Sequence, residues 1–205
     1  MGDLYHEGAR ELQARFDTRR LADRLEEVTV RDALTADDRA FIESLDMFFL
    51  ATADADGHPQ CSYKGGDPGF VAVLDEHTVA FPNYDGNGMY LSAGNLRVNP
   101  HVGLLFIDFS ADRPRRLRLN GDASIETGDP LLARFPGSQF IVRVSVSAIF
   151  PNCPRYIHRM QPAERSPYVP RADRDVPVPD WKRADWARDV LAADDPARGA
   201  TDAGS

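Results

Sequence analysis

Apolar residues near the N-terminus recur at roughly helical spacing. Glutamate and arginine fill most of the remaining positions of residues 3–27, which is the pattern of an amphipathic helix. We expect this helix to pack on a larger body. Its apolar positions are Leu4, Leu12, Phe16, Leu21 and Leu25.

A second helix is predicted over the segment TADDRAFIESLD. Thr35 can cap its N-terminus, and Asp38 stands three residues later, where its side chain can return a hydrogen bond to the capping residue. Phe41, Ile42 and Leu45 then form the stripe that faces the core.

From Met47 onward the pattern changes to short β-rich runs separated by turn residues. We predict about seven strands, with a short helix in DPLLARF before the last one. The strand segments are MFFLATA, QCSYK, FVAVLD, TVAFPN, HVGLLFIDF, RRLRLNGDASIE and QFIVRVSVSAIF.

Strands that follow one another without long intervening helices favour an antiparallel sheet, and a sheet of this size normally closes to protect its edges. The predicted fold class is therefore mainly β (α+β), a small antiparallel barrel with flanking helices. The predicted organisation has an N-terminal helical extension (1–34), the barrel domain (35–160) and a C-terminal tail (161–205).

The tail is proline-spaced and charged, as in SPYVPRADRDVPVPDW, and predicts an extended surface segment instead of a second core. Trp181, Trp186 and Val190 mark one final short helix that docks on the body. The end, ADDPARGATDAGS, is predicted to be disordered.

Charge limits the classes of partner. The 205 residues carry a net charge of -8, so neither nucleic acid nor an anionic membrane is an expected partner, and an anionic ligand needs a local basic pocket. The N-terminus lacks a signal-type apolar core, and the apolar run Met47–Ala53 is too short to cross a bilayer. We expect a cytoplasmic protein.

Metal and hydrolase chemistry have little support in the sequence. Cys61 and Cys153 stand far apart, and the histidines show no metal-ligand spacing, so no metal is predicted. Ser92 has no recognisable base partner, which leaves a catalytic triad without support.

One segment is typical of anion binding. FPNYDGNGMYLSAGNLRVNPHVGLLF predicts a strand, a polar loop, a helix in GMYLSAGNLRVN and another strand. A helix N-terminus reached by a glycine-bearing loop favours phosphate, and Asn83, Asn87, Ser92 and Asn95 can add hydrogen bonds. The alternative is a long turn in which the asparagine side chains only hydrogen-bond nearby backbone groups.

The strand PQCSYKGG carries polar residues on one face. Gln60, Ser62 and Lys64 alternate there, whereas Cys61 and Tyr63 point to the other face. Lys64 at the strand end suits a phosphate, although a single lysine more commonly lies free on the surface.

The strand RPRRLRLNG adds a basic cluster in an acidic chain. Such a run is usually a solvated face. Its arginines are Arg113, Arg115, Arg116 and Arg118.

Five segments in order resemble the FMN-binding split-barrel family that includes pyridoxamine 5'-phosphate oxidase. The resemblance covers about residues 40–160 and implies a split barrel that binds FMN. The segments are MFFLATADADGHPQCSYKG, TVAFPNYDGNG, SAGNLRVNPHVGLLFID, RRLRLNGDASI and FPNCPRYIHR.

The resemblance also implies where the cofactor lies. The second strand would line FMN through Gln60, Cys61, Ser62, Tyr63 and Lys64. The ribityl chain and phosphate would be held by Pro82, Asn83, Asn87, Ser92 and Asn95. Arg116 would reach the cofactor from the partner subunit, which implies a homodimer with two FMN sites at the interface.

Because the sequence departs from the family pattern, the resemblance does not identify the substrate. Where vitamin B6 phosphate oxidases carry Arg-Lys after the loop serine, this chain has Ala93 and Gly94, which leaves Lys64, with Arg97, to neutralise the phosphate. Arg155-Tyr156-Ile157-His158 is the nearest element to the substrate-binding Arg-x-His, and the usual C-terminal motif is missing.

The predicted function is therefore an FMN-dependent oxidoreductase acting on an unidentified small molecule, with NAD(P)H as the candidate electron donor. No residue is predicted to act as an indispensable acid or base, and Gln60, Lys64 and Arg116 are the candidate groups near the flavin ring. The alternatives are a non-catalytic flavin or haem binding or stress protein and a deazaflavin-dependent reductase.

Overall fold

The computed structural model describes residues 4–112, 114–161 and 164–199, so Arg113 lies outside the described residues. The helices are α1 (Glu7–Arg15), α2 (Arg19–Thr29), α3 (Ala36–Ser44), α4 (Leu91–Val98) and α5 (Asp185–Arg188). The strands are β1 (Met47–Ala53), β2 (Pro59–Gly65), β3 (Ala72–Val73), β4 (Thr78–Tyr84), β5 (His101–Asp108), β6 (Arg115–Glu126) and β7 (Ser138–Pro151). Short 3₁₀ helices cover Pro130–Arg134, Asp180–Arg183 and Pro196–Gly199.

The strands form one antiparallel sheet in the order β2-β1-β5-β6-β7-β4-β3, which confirms the mainly β prediction. The sheet is rolled, because the rings of Phe48 in β1 and Phe81 in β4 lie 5.0 Å apart although three strands separate β1 from β4. The rolled interior holds the hydrophobic core, in which Phe48, Phe81 and Phe106 are fully buried.

The barrel is split and not closed. In the described part of the chain β2 and β3 are the two sheet edges and do not pair with each other. The predicted strand FVAVLD contributes only Ala72 and Val73 to the sheet, while Phe70 and Val71 are buried in the core. A continuous run of apolar side chains is more stable when all of them are buried than when every second one faces solvent, as in a half-buried strand.

Helix α3 begins as the sequence predicts. The Asp38 N–H donates to Thr35 Oγ1 at 3.2 Å, and the Thr35 N–H donates to Asp38 Oδ2 at 3.0 Å. Burial by itself raises the pKa of Asp38, but hydrogen bonds from Arg31 and Thr35 outweigh burial and hold that pKa below its ordinary value. Arg115 also reaches Asp38 and lies over the Phe41 ring, so this capping box joins α3 to β6.

The single N-terminal helix is a wrong prediction. Helix α1 ends at Arg15 with Phe16 as its C-cap, and Asp17 then adopts a left-handed backbone with φ of 52°. The chain turns there, so α1 and α2 form a helical hairpin. Polar contacts join the two helices: Arg10 pairs with Asp23, and the Leu4 N–H donates to Glu26 Oε1 at 3.1 Å.

The apolar stripe of the hairpin does not pack on the body of this chain. Most of the residues predicted to be buried face outward instead, since the polar groups of the two helices already pair with each other. The exposed positions are Leu12, Phe16, Leu21 and Leu25.

Residues 164–199, which we call the C-terminal segment, lie along the surface and contain α5. This agrees in outline with the predicted surface tail and its one short helix. Trp181 and Trp186 stack with ring centroids 6.0 Å apart, but Trp186 and Val190 are exposed, and the side chains that dock are Lys182 and Ala187. Disorder from residue 193 is wrong for Pro196–Gly199, which forms a 3₁₀ helix. Residues 200–205 lie outside the described residues.

None of the helices in the described part of the chain combines the length and apolar character that a membrane crossing needs. The boundaries of the three predicted regions, at residues 34/35 and 160/161, stay predictions.

Candidate functional site

A cleft of about 210 Å³ opens between β2, the end of β4 and the start of α4. Its wall continues through the loop of residues 85–90, which we call the cleft loop. Five of the residues predicted from the sequence line it: Ser62, Lys64, Asn83, Asn87 and Ser92.

Helix α4 points its N-terminus into this cleft. Tyr90 precedes the helix with a left-handed backbone (φ 48°, ψ 29°), and among the described residues no side chain caps the first turn. The backbone N–H groups of Leu91, Ser92 and Ala93 are therefore available, together with the positive end of the helix dipole. This geometry suits a bound anion.

Lys64 supplies a cation at the same place. Its side chain lines the cleft and is half-buried, and no carboxylate among the described residues forms an ion pair with it. Burial lowers the pKa of Lys64 because water around the ammonium is replaced without a counter-charge. An anion in the cleft would provide that counter-charge and favour the protonated amine.

Polar side chains fix the geometry of the cleft walls. The hydroxyls of Ser62 and Ser92 lie 2.8 Å apart, which ties β2 to the start of α4. Asn83 donates to Gln139 Oε1 at 3.0 Å, and Asn87 Oδ1 accepts the Met89 N–H at 3.1 Å.

Two of the predicted residues, Asn95 and Pro82, are not part of the cleft lining and instead make structural contacts. Asn95 donates to Thr52 Oγ1 at 3.0 Å, so its amide holds α4 against β1. Pro82 is buried in β4. Arg97, the second cation considered for a phosphate, is exposed in the last turn of α4, at the end of the helix away from the cleft.

The remaining predicted residues are not brought into the cleft. Gln60 shares the strand face of Ser62 but is exposed near the start of β2. Cys61 is exposed, and Tyr63 packs near Phe49 with ring centroids 6.2 Å apart, so both lie on the outer face of the sheet.

Arg116 lies on β6, three places from β2 in the sheet order. It alternates with the buried Leu117 and therefore points outward. Its guanidinium donates to the Cys153 carbonyl at 2.8 Å, while its buried Nε has no hydrogen-bond partner in the described part of the chain. Arg116 is therefore not among the residues that line the cleft of this chain.

The cleft residues that were not among the predicted site residues include two with phenol side chains, Tyr84 and Tyr90. Both flank the loop in NYDGNGMY, so an aromatic residue on each side was the available signal. The left-handed backbone of Tyr90 had no such signal, since glycine is the usual residue in that conformation.

A separate exposed turn groups three potential metal ligands, Asp54, Asp56 and His58, within 4.8 Å of one another. The Asp54 carboxylate already accepts the N–H groups of Asp56 and His58 at 3.0 and 2.9 Å. The grouping is accounted for by this turn.

The donors around the cleft match a phosphate ester. They comprise backbone N–H groups, one ammonium, the hydroxyls of two serines and two tyrosines, and two amides, and no carboxylate is among the residues that line it. The cleft is smaller than the roughly 300–1,000 Å³ of typical ligand pockets. A ligand larger than a phosphate with a short chain must therefore extend beyond this cleft.

Comparison with solved structures finds proteins with similar folds. HupZ of Group A Streptococcus is 20% identical over 58% of this chain and 93% of its own, with a TM-score of 0.47. A protein of Lactobacillus delbrueckii described as a putative pyridoxamine 5'-phosphate oxidase is 23% identical over 58% of this chain and 95% of its own, with a TM-score of 0.47. HutZ of Vibrio cholerae, described as a haem storage protein, is 22% identical over 58% and 94%, with a TM-score of 0.43.

No curated protein matches the sequence. The profile of the family described as pyridoxamine 5'-phosphate oxidase matches residues 34–165, which is more than half of the chain. The match includes every strand of the rolled sheet and every residue of the cleft lining. The chain belongs to the pyridoxamine 5'-phosphate oxidase family.

Proposed function

We propose that the protein is an FMN-dependent oxidoreductase that acts on a small molecule. The observation that carries the proposal is Lys64, a half-buried cation without a carboxylate partner among the described residues, beside the uncapped N-terminus of α4. A buried ammonium without a counter-charge is unfavourable, and a phosphate ester relieves that cost while using the free N–H groups.

The cleft would hold the phosphate end of FMN. Lys64, Ser62 and Ser92 would bind the phosphate with the first turn of α4, and Asn83 and Asn87 would contact the ribityl chain. When bound, FMN supplies hydride or electron transfer, and the protein supplies orientation and access.

We further propose that the protein is a homodimer built on the outer face of the sheet. Apolar side chains on that face support this, because Phe49 in β1, Leu105 in β5 and Phe150 in β7 are only half-buried, and Tyr63, which pairs with Phe49 from β2, is 64% exposed. Arg116 points from the same face. In a dimer it would approach the cleft of the partner.

Replacing Lys64 with alanine should weaken FMN binding by about 1.5–3 kcal/mol, the range for hydrogen bonds to charged groups. Riboflavin, which lacks the phosphate, should bind the wild type and the variant with similar affinity. Both ligands are titrated by quenching of flavin fluorescence, and the wild-type preference for FMN over riboflavin should shrink in the variant.

Arg97→Ala is the matched control for the Lys64 variant, because it removes a cation from the far end of α4 and should leave FMN affinity unchanged. An equal loss of FMN and riboflavin affinity in Lys64→Ala would contradict the assignment of the phosphate to this cleft.

Mixing variants tests the dimer. Arg116→Ala should weaken FMN binding by about tenfold or more if its guanidinium completes the partner's site. A heterodimer of one Lys64→Ala protomer and one Arg116→Ala protomer should contain one intact site, because the two lost groups then fall in the same site. Titration of purified heterodimers should give one tight site per dimer; no tight site would mean that both groups act within one chain.

Two other functions remain to be separated from catalysis by FMN. A Soret band in the purified protein would indicate haem, and binding of a reduced deazaflavin by a colourless protein would indicate the reductase alternative. Bleaching of bound flavin by NADPH or NADH would support an enzyme, whereas flavin that stays oxidised with both donors would support a carrier.

A further inference from the structure

The C-terminal segment contacts the chain at two places near the cleft, just after β2 and at the start of the cleft loop. Arg171 donates two hydrogen bonds to Asp67, each 2.5 Å long, and Asp67 follows Lys64 by three residues. Lys182 binds Asp85, the first residue of the cleft loop, at 2.6 Å. Residues remote in sequence thus contact the chain three residues after Lys64 and at the first residue of the cleft loop.

Lys182 is the more deeply placed of these contacts. It is only 5% exposed, and its ammonium lies 2.6 Å from Asp85 and 2.7 Å from Asp195. Burial by itself lowers the pKa of Lys182, but hydrogen bonds to Asp195 and Asp85 outweigh burial and raise that pKa. The ion pair with Asp195 holds Lys182 within the C-terminal segment, and the ion pair with Asp85 connects Lys182 to the cleft loop.

The cleft loop has few other anchors. Tyr90 at its far end donates to Gln139 at 3.2 Å, and the hydrogen bond between Asn87 and Met89 lies within the loop. All residues from Asp85 to Tyr90 are exposed. Loss of the Lys182 contact would therefore leave the first half of the loop without a side-chain hydrogen bond to the rest of the described chain.

We propose that Lys182 is a positioning residue, which acts through Asp85 to hold the cleft loop in the shape that places Asn87 beside the N-terminus of α4. The C-terminal segment then belongs to the binding machinery without contacting the ligand. The effect on cofactor affinity rests on the proposed function, whereas the restraint on the loop does not.

Asp85→Ala cuts this tie most cleanly, because it removes the acceptor while the buried pair between Lys182 and Asp195 remains. In the ligand-free protein, amide hydrogen exchange of residues 85–90 should become about tenfold faster, the factor expected for loss of one charged hydrogen bond. FMN affinity should fall by a similar factor. The direction is diagnostic, because removal of a negative charge near an anion site would by electrostatics alone strengthen binding.

Lys182→Met should have the same effect on exchange, and Arg198→Met is the matched control, since it removes an exposed cation from the same segment. Unchanged exchange of the loop in Asp85→Ala would overturn the inference, whatever happens to Lys182→Met. Faster exchange in a protein that binds no FMN would uphold the restraint and reject the proposed cofactor. Faster exchange with unchanged FMN affinity would overturn the positioning role.

Discussion

Replacing Phe48 with alanine is expected to lower the free energy of unfolding by about 3–5 kcal/mol, the usual cost of removing a buried aromatic ring. Phe48 is fully buried, and its ring centroid lies 5.0 Å from that of Phe81, 5.3 Å from that of Phe106 and 5.8 Å from that of Phe70. These rings come from opposite sides of the rolled sheet, so the cavity would lie where the two sides meet. Urea-induced unfolding measures the loss.

Phe49→Ala is the control for Phe48, because the neighbouring side chain lies on the outer face and is only half-buried. Its replacement should cost the protomer clearly less stability than Phe48→Ala. Equal losses of unfolding free energy would contradict the assignment of Phe48 to the interior face of β1 and of Phe49 to its outer face. If the protein dimerises through the outer face, Phe49→Ala should weaken dimerisation in sedimentation experiments.

Gly121→Ala is expected to destabilise the protein by about 3 kcal/mol or more, at or above the upper end for overpacking of a core. A Cβ atom at this position would lie 2.2 Å from the Ser145 carbonyl oxygen and 2.9 Å from Val144 Cγ1. The oxygen belongs to the backbone of β7, so it cannot move without breaking the pairing. The glycine stands at the register shift between Asn120 and Gly121, where the sheet bends.

Gly103→Ala offers a comparison on the adjacent strand. A Cβ atom there would come no closer than 3.7 Å to Ala51 or Asn120, which is ordinary contact. Thermal unfolding should show a large drop in melting temperature for Gly121→Ala and a small change for Gly103→Ala. Similar melting temperatures for the two variants would refute the close approach of β6 and β7.

The sheet was predictable because strand pattern and turn residues point the same way. RRLRLNGDASIE alternates buried and exposed residues and forms β6 with the predicted bounds. The capping residues Thr35 and Asp38 identified the start of α3 for the same reason, since cap chemistry is local. The strand predicted over FVAVLD is correct only for Ala72 and Val73, because a continuous apolar run does not distinguish a strand from a buried connection.

The N-terminal hairpin was not predictable from periodicity. The apolar spacing continues through Phe16 and Leu21, so the sequence shows no break where Asp17 turns the chain. The fold of this region depends on long-range pairs such as Arg10 with Asp23, which spacing along one helix cannot reveal.

The candidate site was predictable in its local parts only. Residues of the loop and of β2 were recognised from composition and from the family resemblance, and five of them line the cleft. The roles of Asn95 and Arg97 depend on which way α4 faces, and the contribution of Lys182 depends on a contact across 97 positions of sequence. Such long-range contacts leave no mark in local composition.

The left-handed backbone of Tyr90 has a further consequence. For a residue with a side chain this conformation costs roughly 1–2 kcal/mol, so the strain must be held by neighbouring contacts. Here the hydroxyl bonds Gln139 and the ring lies 6.5 Å from that of Phe140. The first turn of α4 is thus preorganised: an arriving anion meets donors already aimed at it and loses little affinity to rearrangement of the chain.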